Sequence, residues 1–81
     1  MTMKLYILAP IAPNNRPWDP WYDKAFAFVV RAESESAARH IASWWCGDEG
    51  KEAWLNPSLS KCDELTADGE PGVVCKDFHS A

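Results

Sequence analysis

Basic residues are scarce in this sequence, glycine is scarcer, and no hydrophobic run is long. Eight Lys and Arg stand against twelve Asp and Glu, a net charge of −4 with a pI near 4.9. Phosphate backbones and anionic lipid surfaces are held by clustered Lys and Arg. Neither direct nucleic-acid binding nor docking on an anionic membrane is therefore expected. No stretch approaches the roughly 20 apolar residues that cross a bilayer. The opening MTMKLYILAPIAP is apolar but interrupted by proline, and it is not read as a signal peptide. The four glycines, at 47, 50, 69 and 72, are too scattered to cradle a phosphate. No GxSxG elbow is present, and the histidines number two, His40 and His79. Cys46, Cys62 and Cys75 are an odd set without a CxxC pair. They read as free thiols of a reducing cytoplasm. With no cofactor motif and no catalytic constellation, the chain is not expected to be an enzyme.

What is abundant is tryptophan, with five in 81 residues. A chain of this length makes one domain, residues 1–81, with a single small core. Each buried aromatic removes roughly 150–250 Å² from water, so a few rings can dominate such a core. Residues 3–9, MKLYILA, form a first strand, with Leu5 and Ile7 on one face and Lys4, Tyr6 and Leu8 on the other. Residues 10–24 form a loop, because Pro10, Pro13, Pro17 and Pro20 remove backbone donors and fix φ. Residues 25–32, AFAFVVRA, are apolar on both alternating faces and are expected to be the central strand. Ser34 caps a helix whose Ala38, Ile41, Ala42 and Trp45 make one apolar face. Glu35 and Arg39 pair four apart on its outside, and Gly47 is the natural stop.

Beyond the helix, 52–55 is either a helical turn or an extended piece. Residues 59–65 fit a helical stripe through Leu59, Cys62 and Leu65, but the fold needs sheet partners and a strand is preferred. TADGEP is a turn, 72–78 a last strand, and 79–81 a frayed C-terminus. The expected fold is α+β. A mainly antiparallel sheet of three to four strands carries one principal helix on one face, in the order ββαββ.

The Pro/Trp loop is the most informative feature, since Trp, Tyr and Arg dominate binding hot spots. Arg16, Trp18, Asp19, Trp21 and Tyr22 either fold back as core or anchor an interface. Trp44 and Trp54 pose the same question. The charge is uneven, because residues 48–81 hold three basic and eight acidic groups. Asp48, Glu49, Glu52, Asp63, Glu64, Asp68 and Glu70 are candidates to complement a basic protein partner. A zinc site drawn from Cys46, Cys62, Cys75 and His79 has poor ligand spacing, because only Cys75 and His79 are close where structural sites bring ligands in pairs. The alternatives are a structural or accessory domain, either monomeric or paired through an exposed edge strand or a tryptophan patch, and a small zinc module.

The segments FVVRAESESAARHIA, GDEG, WLNPSLSKCDEL and GEPGVVCKDFHSA resemble short orphan proteins of bacteriophages and mobile elements. In those, a strand ending in an A-[ED]-S-E cap leads into an Ala/Arg-rich helix. A Trp and a Cys follow, and a GVV-x-x-D strand closes the chain. The likeness covers residues 25–81. It implies a non-enzymatic inhibitor, of the anti-CRISPR type, that occludes a basic surface of a host defence complex in the bacterial cytoplasm. Its motifs describe structure, so no functional residue is carried over from it.

Overall fold

Strand patterning and one capped helix dominate the architecture. The computed structural model describes residues 2–20 and 22–78. The elements are β1 (Lys4–Pro10), β2 (Phe28–Ala32), α1 (Glu35–Trp44), α2 (Glu52–Leu55) and β3 (Ser60–Leu65). They make a small α+β domain in which a three-stranded antiparallel sheet carries both helices.

The sheet order is β2–β1–β3. Tyr6 lies opposite Val30 and Glu64, and Leu8 opposite Phe28 and Cys62. Side chains alternate across a strand, so Tyr6, Leu8, Val30, Ala32, Ser60 and Cys62 share the face that the helices bury. Leu5, Ile7, Val29 and Asp63 fall on the opposite face, which is more open. The expected centrality of residues 25–32 is therefore corrected. The strand begins at Phe28 and lies at an edge, with Val29 53% exposed. Its apolar alternation reflects packing of Ala25, Phe26 and Phe28 onto the core cluster, not a neighbour on each side.

The capped helix forms as its sequence requires. Ser34 is extended, and its side chain accepts from the Ala37 amide at 3.1 Å. Ala38 and Ala42 are fully buried and Ile41 packs at the margin. Three details differ from expectation. Trp45 becomes the C-cap, turns off the helical path and is 73% exposed, so it leaves the stripe. Arg39 is buried, not outside, although its Glu35 pair does form at 3.0 Å. Gly47 is not the helix stop, since the helix ends at Trp44 with the cap at Trp45. A Cβ at Gly47 would sit 2.0 Å from the Asp23 carbonyl oxygen, so glycine is needed for a close backbone approach.

Residues 52–55 are helical and Ser60–Leu65 is a strand. The expected last strand is absent: 72–78 forms no strand, which corrects ββαββ to ββααβ. Its apolar residues stay in water, with Val73, Val74 and Phe78 all exposed. The frayed end at 79–81 lies outside the described residues.

Candidate functional site

Two tryptophans build the interior, and two buried charges hold one of them, Trp54. Trp54 is fully buried, with its ring edge-on to Trp18 at 5.5 Å and to Phe28 at 4.8 Å. Its indole Nε1 donates to Glu49 Oε2 at 2.6 Å. Its carbonyl accepts from the Arg39 guanidinium at 2.9 Å. The same guanidinium donates to Ser60 Oγ at 2.9 Å and to the Ser60 carbonyl at 3.0 Å. Glu49 Oε1 in turn accepts from the amides of Ala25 at 3.1 Å and Gly47 at 3.0 Å. Arg39 therefore ties α1 to α2 and the start of β3, and Glu49 ties the α1–α2 connection to the residues entering β2. Buried charges persist when hydrogen bonds satisfy them, and among the described residues no buried side-chain polar atom lacks a partner.

Trp18 is the anchor of the proline-rich loop. Its indole donates to the Ala25 carbonyl at 2.9 Å. Lys24 Nζ donates to the Trp18 carbonyl at 3.3 Å and to the Pro20 carbonyl. The loop thus folds back as core through one ring. Trp18, Trp54 and Glu49 are removed as interface candidates, because burial and internal bonding occupy them. Trp21 and His79 lie outside the described residues.

The remaining candidates stay at the surface. Arg16, Asp19, Asp48, Glu52, Asp63, Asp68 and Glu70 are exposed, and so is Glu64, which pairs with Lys4 at 3.5 Å. They do not form one acidic face: Asp63 lies on the open side of the sheet, Glu52 opens α2, and Asp68 and Glu70 sit in the segment after β3. Besides Phe78, whose ring carries the Lys76 ammonium over it at 5.2 Å, three large rings stand exposed. Tyr22 is 71% exposed, Trp44 67% and Trp45 73%. The two chain segments that carry them cross where the Asp48 amide donates to the Asp23 carbonyl at 2.9 Å, against Gly47. Exposed Asp23 and Asp48 belong to the same crossing, while the Lys24 ammonium is turned onto backbone carbonyls. Exposed rings and exposed carboxylates thus lie on the two segments that this hydrogen bond brings together. The helical period assigns Trp45 to the buried stripe, and nothing local in the sequence marks Asp23 as part of a surface. The only available signal was that Trp45 follows the last full helical turn and immediately precedes Cys46-Gly47.

Other chemistry is sparse. His40 is exposed, with Nδ1 2.9 Å from the Ser36 carbonyl, and borders an open groove of about 510 Å³ with Glu35, Leu55 and Pro57. Cys62 is buried, and desolvation pushes its thiol up to about 11 despite the nearby Arg39 charge. Cys46 is half-buried and Cys75 exposed. Among the described residues no three His, Cys, Asp or Glu side chains gather for a metal ion, and no helix is long and apolar enough to cross a membrane. Compared with protein-family models, curated proteins and solved structures, the chain matches none of them.

Proposed function

We propose that this chain is a non-enzymatic protein-binding domain whose contact surface is the Tyr22–Trp44–Trp45 crossing, and that its partner is basic there. The observation that carries the reading is the exposure of three large rings on the two segments that meet where Asp48 bonds Asp23. Single exposed apolar residues are ordinary, but grouped ones mark interaction surfaces. Trp and Tyr supply large contact area at low entropic cost. Asp23 and Asp48 add negative charge, the Lys24 ammonium is engaged internally, and cationic side chains bind well over indole faces. The narrower form of the reading follows the resemblance of residues 25–81 to phage proteins. In that form the partner surface is the basic, nucleic-acid-binding groove of a bacterial defence complex, which the domain occludes.

The test is affinity capture from bacterial lysate at low and moderate salt, with the wild type beside a Trp44→Ala/Trp45→Ala double variant. The wild type should retain a basic protein whose yield falls with salt, and the double variant should lose it while its far-ultraviolet dichroism is unchanged. Capture of nothing at either salt, or equal capture by the variant, would sink the reading.

A further inference from the structure

The two edges of the sheet differ. β3 carries Lys61, Asp63 and Glu64, the kind of charged side chains with which sheets discourage edge pairing. β2 reads FVVRA, with no proline and one charge, Arg31. Its pairing partner is β1 on one side, and the order β2–β1–β3 places its other side at the margin of the sheet. Residues 25–32 contain no carboxylate, in a chain with a net charge of −4.

We propose that β2 is a homodimerisation edge, at which two copies pair antiparallel about Val30 and their sheets join into one of six strands. The register follows from side-chain parity. Opposite residues of an antiparallel pair share a face, so a two-fold pairing of a strand with its own copy can shift only in steps of two residues. Centred on Val30, the pairing sets Val30 against the partner's Val30, Val29 against the partner's Arg31 and Phe28 against the partner's Ala32. This register uses all five residues of β2. One shift brings Arg31 against the partner's Arg31, and like charges directly opposite are destabilising. The opposite shift leaves only Phe28–Val30 of β2 in the overlap. The centred register buries no carboxylate, so the seam adds nothing to the repulsion between two anionic chains. A second copy is the occupant because the strand is its own complement in that one register.

The register predicts opposite outcomes from two substitutions at one exposed position. Val29→Lys places a cation opposite the partner's Arg31 twice per dimer, and Val29→Glu places an anion there twice. Sedimentation velocity across a wide concentration range should show a concentration-dependent wild-type dimer, weakened by V29K and tightened by V29E. The two dissociation constants should differ by about tenfold or more. Far-ultraviolet dichroism should not change, since Val29 is already half in water. A wild type that stays monomeric throughout overturns the proposal. So does a shift of both variants in the same direction, or no shift in either, because the contact would then not be this paired edge. The Trp44→Ala/Trp45→Ala variant should dimerise like the wild type, so failure of the partner-binding reading and failure of this one are separable.

Discussion

Trp54 and Trp18 share a residue type with Trp44 and Trp45 and almost nothing else. The first pair is buried, stacked edge-on and hydrogen-bonded through both indole nitrogens. The second pair ends a helix and stands two-thirds or more in water. The difference lies in what each ring's polar atom finds. A buried indole N–H needs an acceptor, and Glu49 and the Ala25 carbonyl are each in place for one. At the end of α1 the backbone is already turning away, so Trp44 and Trp45 face solvent. Interior rings hold the fold, and exposed ones are available to a partner.

The largest expected effect is on the interior side. Trp54→Ala should cost about 3–5 kcal/mol, comparable with the whole stability of a domain this size, on the order of 4–12 kcal/mol. Urea denaturation should show the variant largely unfolded. A midpoint near the wild type would dissolve the distinction between the two pairs.

Next comes the acceptor beneath Trp54. Glu49→Ala removes the partner of the Trp54 indole and of the Ala25 and Gly47 amides, and should cost about 3 kcal/mol or more. Glu49→Gln keeps one carbonyl acceptor and should recover part of that loss. Equal midpoints for the two variants in the same denaturation experiment would show that hydrogen-bond acceptance at Glu49 is irrelevant.

The same core predicts a pH effect. The Cys62 thiol is raised from its ordinary value of 9.0 to about 11 by burial. The folded state therefore keeps its proton where the unfolded chain releases it. The resulting stability is fully present below pH 9 and is lost as the pH rises toward 11, by on the order of 2 kcal/mol. Denaturation midpoints measured from pH 8 to about pH 11 should fall more steeply for the wild type than for Cys62→Ala. Parallel curves would refute the assignment.

The smallest expected effect is on the exposed side. Trp44→Ala and Trp45→Ala should each move stability by about 0.5 kcal/mol or less, read by the same denaturation. A loss of several kcal/mol from either would mean that these rings support the fold.

The sequence made the helix legible because its signals are local. The Ser34 cap acts on an amide three residues away, and the Ala38/Ala42 stripe needs only the helical period. β1 and β3 were readable from alternation and from the lack of other sheet partners. The burial of Arg39 is not legible in the sequence, for the opposite reason. Its place on the helix face is local, but its partners, Trp54 and Ser60, are fifteen and twenty-one residues away. The same holds for Gly47, which looked like a helix stop and instead admits the Asp23 carbonyl. Residues 72–78 have strand-like alternation, but a strand forms only by laddered pairing with a neighbour along its length, and 72–78 is not part of the sheet. The candidate surface is half visible in the sequence: Tyr22 and Trp44 stand out as large rings, whereas the helical period places Trp45 in the core stripe.

Charge, helix period, cap and proline placement act over a few residues, so the chain alone dictates an acidic domain with one capped helix and a proline-rich loop. Which tryptophans are interior, which strand is central and which charges are buried depend on pairings across the whole chain. β1 became the middle strand only by meeting β2 on one side and β3 on the other. Trp54 became the centre only because Arg39 and Glu49, from separate segments, satisfy its two polar ends in a place without water.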